Sequence, residues 1–202
     1  MVNAREIVLA TRNAGKVREI EAGLKGLGLR VLSLGDFPEV GELPEEGESY
    51  EENAYGKARI VAEATGRIAL ADDSGLEVEA LGGKPGVRSA RFGGEGASSE
   101  RKNRRLLDLL RDLPWERRKA QFVCVLVIVL PYGEAHVCRG VCPGRITTEL
   151  RGQQGFGYDP IFFLPEYGKT MAELDLSLKN QVSHRGQALR QAREVLARLF
   201  PA

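Results

Sequence analysis

The strongest constraint on the fold of this chain is a long apolar run near its middle. The run covers residues 119–130 and has the sequence KAQFVCVLVIVL. A strand with one face in water alternates apolar and polar residues, so a nearly continuous run predicts a strand that is covered on both faces. A turn signal at 131–134 and a second predicted strand at 135–144 follow it. Together they indicate a long antiparallel hairpin.

The beginning of the chain has the pattern of a parallel sheet. Strands are predicted at residues 6–10 and 30–34, with a helix from Lys16 to about Leu27 between them. A strand, a helix and a second strand in this order form the unit from which parallel sheets are built. The remaining predicted elements are a helix from the S-x-x-E capping box at Ser49 to Gly66, a strand at 68–71, a helix at 98–113, short strands at 146–149 and 161–164, and a C-terminal helix at 184–200.

Composition supports one globular domain over residues 1–202. Hydrophobic residues make up 43% and charged residues 28% of the chain, which is ordinary for a soluble domain with a substantial core. We predict an α/β fold with a mixed, twisted sheet, flanking helices and a second lobe built on the hairpin. The counts of 29 basic and 28 acidic residues leave no net field that would attract nucleic acid or a membrane.

Targeting signals and disulfides are not expected. No segment has the length of a membrane span, and the apolar run near the N-terminus is too short for a signal peptide. The three cysteines do not form a CxxC pair, and they are predicted to be free thiols in a reducing cytoplasm.

Two adjacent aspartates, Asp72 and Asp73, directly follow the predicted strand at 68–71. Unpaired carboxylates at the end of a buried strand shift their pKa values or recruit a cation. The acidic loop GELPEEGE, at 41–48, opens the helix that leads into this strand, so one of its glutamates can reach the same cation. Ligation by carboxylates alone selects Mg²⁺ or Mn²⁺. Most glutamates of such a charge run nevertheless form a solvated face.

Two segments carry residues suited to phosphate. The loop TRNAGK, at 11–16, lies between a strand and a helix, where backbone N–H groups and Lys16 attract an anion. Thr11 and Asn13 can donate to phosphate oxygens, but they can equally act only as helix caps. Lys57 shares one helical face with Asn53, four residues before it. It either neutralises the acidic cluster or binds phosphate.

Two further segments suit a heterocyclic base. The loop GFGYDP, at 155–160, combines two aromatic rings, two glycines and an aspartate, although a tight loop with its rings in the core has the same composition. His184 and Arg185 stand at a predicted helix start with Lys179 upstream, and together they form a donor cluster for a carbonyl or an anion. A lone histidine is more often structural. Walker A, HExxH and nucleophile-triad patterns are absent from the sequence.

Five segments in this order resemble one family: ATRNAGKVREI, EEGESYEENAYGKA, ALADDSGLEVEALGGKPGVRSARF, GFGYDPIFF and SHRGQAL. On these segments the chain is similar, over essentially its whole length, to the inosine triphosphate pyrophosphatase-like family. Members of that family hydrolyse noncanonical purine nucleoside triphosphates (ITP, dITP and XTP) to the monophosphate and pyrophosphate. They use Mg²⁺ and are usually homodimers. The resemblance implies a cytoplasmic enzyme, and we expect the nucleotide site in the cleft between the two lobes.

The motif matches also imply roles for individual residues. Asp73 matches the family's metal ligand and proton acceptor, with Asp72 as a supporting carboxylate. Glu45, two residues before Gly47, matches the metal-binding glutamate, with Glu42, Glu46 and Glu48 close by in the loop. Implied substrate contacts are Thr11, Arg12, Asn13, Ala14, Gly15, Lys16 and Lys57 for the triphosphate, Ser74 beside the metal ligand, Phe156, Gly157, Tyr158 and Asp159 for the base and sugar, and Lys179, His184 and Arg185 for base recognition.

The mechanism implied is attack of water on the α-phosphorus. Asp73, alone or with Asp72, orients and deprotonates the water, while Lys16 and Lys57 stabilise the leaving pyrophosphate. Two alternatives stay open on the sequence. One is an enzyme that releases orthophosphate or prefers other nucleotides, and the other is a nucleotide-binding module without turnover.

Overall fold

The computed structural model describes residues 5–94 and 96–201. Its strands are β1 (Glu6–Leu9), β2 (Arg30–Ser33), β3 (Ile68–Val78), β4 (Lys119–Val129), β5 (Ala135–Ile146), β6 (Phe162–Leu164) and β7 (Lys169–Thr170). Its α-helices are α1 (Ala14–Leu24), α2 (Tyr50–Thr65), α3 (Ser99–Leu109), α4 (Leu176–Val182) and α5 (His184–Leu199). Short 3₁₀ turns lie at Leu34–Asp36, Glu79–Leu81, Gly86–Arg91, Trp115–Arg117, Asp159–Ile161 and Met171–Glu173.

The strands form one mixed sheet in the order β2-β1-β3-β4-β5-β6-β7. Strand β1 is parallel to both β2 and β3, with Ile7 opposite Val31 on one side and Ile68 on the other. Strands β5, β6 and β7 pair antiparallel. The predicted α/β fold with a mixed sheet is therefore confirmed, and the strand–helix–strand order at the start of the chain gives its parallel part.

The chain divides into two compact units. The first unit comprises residues up to Asp73, Cys124–Gly140 and the chain from Arg185 onward. Its core is formed by apolar side chains of β1, α1, β3, β4 and α5, among them Ile7, Leu9, Ile20, Leu70, Leu126, Leu189 and Leu196. The long apolar run contributes to this core as β4. Of the eleven residues of β4, only Lys119 is exposed, and the other ten are buried or half-buried.

The second unit comprises Ser74–Val123 and Val141–His184. Its core contains apolar side chains from β3, α3, β4, β5 and the segments that follow, among them Leu76, Val78, Leu106, Phe122, Ile146, Ile161, Phe162 and Met171. Every α-helix described here is too short or too polar to cross a membrane.

Several predicted boundaries were wrong. No strand covers residues 146–149, because Ile146 is instead the last residue of β5. Helix α4 was not predicted, and helix α3 ends at Leu109, where the Leu110 N–H donates to the carbonyls of both Leu106 and Leu107 and tightens the last turn. Leu109, the last residue of α3, is 53% exposed.

The capping box at Ser49 forms only in part. The Ser49 hydroxyl accepts the Glu52 N–H at 3.1 Å, as the motif predicts. The Glu52 carboxylate, however, accepts the N–H of Glu48 rather than that of Ser49, at 2.8 Å. The box therefore also fixes the last residue of the acidic loop against the start of α2.

Candidate active site

The aspartate pair lies within β3 and not at its end, which corrects the prediction that the strand stops at residue 71. The parallel pairing of β3 with β1 does end there, since the last partners are Leu9 and Leu70, but β3 continues to Val78. Asp72 and Asp73 thus follow the carboxyl edge of the parallel pairing. Successive side chains of a strand point to opposite faces of the sheet, so the two carboxylates have different neighbours.

Asp72 is held by basic side chains in the core of the first unit, and none of its surface is exposed. Its carboxylate pairs with the Lys16 ammonium and accepts from Arg185 Nε at 2.8 Å, and the Cys124 thiol donates to it at 3.2 Å. Burial opposes ionisation, but the charges of Arg185 and Lys16 outweigh it and hold the pKa of Asp72 well below its usual range. Asp72 is therefore an ionised, neutralised carboxylate that positions two cations.

Arg185 links this cluster to a residue that sequence reasoning missed. Its Nη1 pairs with Glu19, which is 3% exposed. Burial would lower the pKa of Arg185, but the carboxylates of Asp72 and Glu19 raise it well above its usual value. Glu19 lies one helical turn after Lys16 and beside Ile20 on the inward face of α1. A charged residue at a core-facing helical position was the signal that could have identified it.

Asp73 belongs to a second cluster around Lys57. The Lys57 ammonium donates to Glu45 at 2.7 Å, to the Asp72 carbonyl at 3.0 Å and to Asp73 at 3.4 Å. Burial would lower the pKa of Lys57, yet the charges of Asp73 and Glu45 raise it. Burial raises the pKa of Asp73, and Lys57 and Lys16 offset this only in part. The cluster thus combines a buried, more basic carboxylate with a lysine whose pKa is raised.

The carboxylates around Lys57 fit a divalent cation. Within residues 5–94 and 96–201, no group of three or more His, Cys, Asp or Glu side chains is placed to hold a metal. Mg²⁺, however, commonly binds one or two protein carboxylates and takes its other ligands from water and substrate phosphates. Glu45 and Asp73 both contact one ammonium and supply such a pair. Of the loop glutamates, Glu45 is half-buried, whereas Glu42, Glu46 and Glu48 are exposed.

The TRNAGK loop is ordered by its own side chains. Asn13 is the N-cap of α1, and its side-chain oxygen accepts the N–H groups of Gly15 and Lys16. The Thr11 hydroxyl accepts the Asn13 N–H at 3.2 Å, and Arg12 donates to the carbonyl of Val40 at 2.7 Å. Of the two alternatives for Asn13, phosphate binding and helix capping, the structure shows capping. Lys16, which pairs with Asp72, lies in the first turn of the same helix, at its positive end.

In the second unit, Asp159 organises the loop that contains Phe156. Its carboxylate accepts the Phe156 N–H at 2.7 Å and pairs with Lys179, and both charged side chains are 3% exposed. The Lys179 ammonium also lies 4.9 Å from the centre of the Phe156 ring. Gly155 is required here, because its φ is +74° and an added Cβ would lie 2.1 Å from Asp159. Phe156 is held half-buried beside a cation.

Other predicted residues of the second unit are buried or half-buried. The Tyr158 hydroxyl donates to the Ser89 carbonyl at 2.9 Å, and burial raises the pKa of this phenol well above its usual range. The His184 ring stacks on Phe122 with centroids 4.6 Å apart. The Gly157 carbonyl accepts from Asn103 at 3.0 Å, and Ser74 is half-buried. For Tyr158, the structure therefore agrees with the alternative of a tight loop whose ring lies in the core.

Comparison with protein families finds a match over most of the chain. The sequence model of the Ham1 family matches residues 7–195. A dITP/XTP pyrophosphatase of Desulforamulus reducens is 51% identical over 195 residues, which cover 96% of this chain and 97% of that protein. A dITP/XTP pyrophosphatase of Thermus thermophilus is 53% identical over 190 residues, covering 94% and 91% of the two chains.

Solved structures give the same result for the fold. The structure of a HAM1 protein from Coxiella burnetii superposes with a TM-score of 0.86 at 42% identity, covering 96% of this chain and 98% of the other. The Ham1 protein of Staphylococcus aureus superposes with a TM-score of 0.85 at 38% identity.

Proposed function

This chain belongs to the Ham1 family, and we propose that it is a nucleoside triphosphate pyrophosphatase acting on noncanonical purine nucleotides. It hydrolyses the α–β phosphoanhydride bond of ITP, dITP and XTP, releases pyrophosphate, and so removes these nucleotides from the pool. Relatives at 51% and 53% identity named as dITP/XTP pyrophosphatases support this reaction. The structural observation that supports it best is the joint contact of Glu45 and Asp73 with Lys57.

The reaction needs a cation and a base. Glu45 and Asp73 would hold Mg²⁺, or Mn²⁺ in its place, and the cation would supply positive charge to the phosphate oxygens when bound. Asp73 accepts the proton of the attacking water, a role for which burial prepares it by raising its pKa. Asp72 remains ionised and keeps Lys16 in place.

The phosphates are bound by charge and by backbone donors. Lys16 and Lys57 neutralise the triphosphate, and the backbone of the 11–16 loop donates to its oxygens at the start of α1. Thr11, Arg12 and Asn13 complete this loop, and Ser74 contacts the substrate beside Asp73. Positioning and electrostatics suffice, and the reaction needs no covalent intermediate.

Base selection depends on the atom at purine C6. Inosine and xanthine carry an oxygen there, and Lys179, His184 and Arg185 act as its hydrogen-bond donors. Adenine carries an amino group there, which offers these donors no acceptor. A site built to use a hydrogen bond discriminates by roughly 10⁴-fold against an analogue that lacks it. The loop from Phe156 to Asp159 holds the base and sugar.

The assembly and location of the protein are part of the same proposal. Residues 1–202 form a single catalytic domain that works as a homodimer in the cytoplasm, without a nucleic-acid or membrane partner. The near balance of 29 basic and 28 acidic residues agrees with the absence of a polyanionic partner.

A nucleotide panel tests the activity. The purified protein is incubated with ITP, dITP, XTP, GTP and ATP in the presence of Mg²⁺, and pyrophosphate and orthophosphate are measured separately. We expect pyrophosphate from the first three nucleotides, with values of kcat/KM at least 100-fold above that for ATP. Chelation of the metal with EDTA abolishes the release.

Three outcomes would contradict the proposal. Orthophosphate as the primary product would indicate cleavage at the terminal phosphate. Equal rates with ATP and ITP would show that the base is not selected at C6. Nucleotide binding without turnover would leave only a binding module.

A further inference from the structure

Asn53 makes two hydrogen bonds that connect the acidic loop to the strand carrying Asp73. It lies on α2, one turn before Lys57, and is 4% exposed. Its amide nitrogen donates to Asp73 Oδ2 at 3.1 Å. Its amide oxygen accepts the backbone N–H of Gly47 at 2.8 Å. A single neutral side chain therefore joins the strand residue Asp73 to the loop that carries Glu45.

The loop is shaped to receive this side chain. An added Cβ at Gly47 would lie 2.9 Å from the Asn53 oxygen and 2.8 Å from the Cβ of Glu52. The Glu48 N–H is fixed in turn by the Glu52 carboxylate. The backbone two residues after Glu45 is thus attached to the first turn of α2, and only a glycine at 47 allows so close an approach.

Asn53 and Lys57 occupy different oxygens of Asp73 and respond differently to a cation. Lys57 contacts Oδ1 and Asn53 contacts Oδ2. A divalent cation near these carboxylates repels the ammonium of Lys57, which weakens its bonds to Glu45 and Asp73. Asn53 carries no charge, so its bonds persist when a cation arrives. Only a side chain with both a donor and an acceptor makes this connection.

We propose that Asn53 is a positioning residue. It holds Asp73 and the acidic loop at 41–48 in a fixed relative position and thereby determines the affinity for the divalent cation. The proposal rests on the metal dependence of the proposed function. Side chains that orient metal ligands in this way contribute about 10- to 100-fold to metal affinity or activity when they are removed. Asn53 makes no substrate contact in this assignment.

The test measures cation binding without nucleotide. Mn²⁺ is titrated calorimetrically into the wild-type protein, Asn53→Ala and the control Arg59→Ala, which alters the exposed Arg59–Glu63 pair of the same helix. We expect the dissociation constant to rise at least about tenfold in Asn53→Ala and to stay within twofold in the control. Thermal unfolding shows whether each variant is folded.

Two further variants separate the halves of the connection. Asn53→Asp keeps an acceptor for Gly47, loses the donor to Asp73 and adds a negative charge beside it. Gly47→Ala crowds the loop side without replacing Asn53. If Asn53→Ala is unfolded, the Mn²⁺ dissociation constant of Gly47→Ala decides the test, and we expect that constant to be raised as well. Unchanged affinity in a folded Asn53→Ala, or no measurable Mn²⁺ binding by the wild type, would overturn the proposal. If Asn53→Ala weakens Mn²⁺ binding but the wild-type protein makes no pyrophosphate, only the proposed function is refuted.

Discussion

Asp72 and Asp73 are adjacent in sequence but have different chemical environments. Asp72 is fully buried and ionised between Lys16 and Arg185. Asp73 is slightly exposed, has a raised pKa and contacts Lys57 and Asn53. The alternation of side chains along a strand separates them. Asp72 is enclosed by cations in the core, and the proposed function assigns the chemistry to Asp73.

Replacing Asp73 should therefore affect catalysis much more than stability. We expect Asp73→Asn to lower kcat for ITP by about 100- to 10 000-fold, the range for loss of a general base, because the amide can neither accept the proton nor ligate a cation well. Steady-state kinetics and thermal unfolding measure the two effects. Activity close to wild type would remove Asp73 from the mechanism.

Asp72→Asn serves as the matched comparison, because it makes the same chemical change one residue away. It leaves Lys16 and Arg185 without their shared carboxylate in the core. Breaking a buried ion pair by removing one partner costs about 3–5 kcal/mol, so this variant should lose stability as well as activity. Equal stability of the two variants would contradict the different roles assigned to the pair.

Arg118 connects the end of one helix to the end of one strand in the second unit. The residue is 1% exposed, and its guanidinium donates to the carbonyls of Ile146 at 2.8 Å and of Leu110 and Thr147 at 2.5 Å. It thus adds a charged donor to a carbonyl that follows α3 and to carbonyls at the end of β5. Burial lowers the pKa of Arg118.

We expect Arg118→Met to lower the free energy of unfolding by about 3 kcal/mol, because several buried carbonyls lose a charged donor at once. Arg118→Lys should restore less than half of this loss, since an ammonium lacks the planar fork of five donors. Urea unfolding measures both changes. The exposed neighbour Arg117 provides the control, and Arg117→Met should differ little from the wild type. A full rescue by lysine would contradict this account.

The three cysteines of the molecule are buried and reduced. Burial raises the pKa of Cys138, in the first unit, to about 11 and that of Cys142, in the second unit, to about 12. Reaction with thiol reagents requires the thiolate. Labelling of these residues therefore reports the opening of the unit that contains them.

We expect all three thiols to resist labelling in the native protein at pH 8 and to react fully in denaturant. A raised folded-state pKa favours the folded form below the ordinary thiol pKa of about 8.5, and this contribution is lost as the pH rises through the folded-state values. The free energy of unfolding should thus fall from about pH 8.5 upward, and less steeply in Cys142→Ala. Rapid labelling of the native protein would contradict the prediction. So would an equal fall of the free energy of unfolding with pH in Cys142→Ala and in the wild type.

The elements that the sequence predicted well are those whose pattern is complete within a few neighbouring residues. The apolar run of β4 and the amphipathic pattern of α5 identified both elements with ends displaced by at most one residue. The capping signal at Ser49 located the start of α2. The chain's resemblance to a family supplied the site residues, whose roles stay predictions.

The tertiary structure decided where charge is buried. No local pattern shows that β3 continues through two aspartates, because carboxylates in a strand interior are tolerated only when distant cations neutralise them. Arg185 meets Glu19 across 166 positions and Asp72 across 113. Local periodicity determines which segments form helices and strands, because the pattern is read from residues that are neighbours along the chain. The partners of a buried charge are known only after the chain has folded, because they come from remote segments.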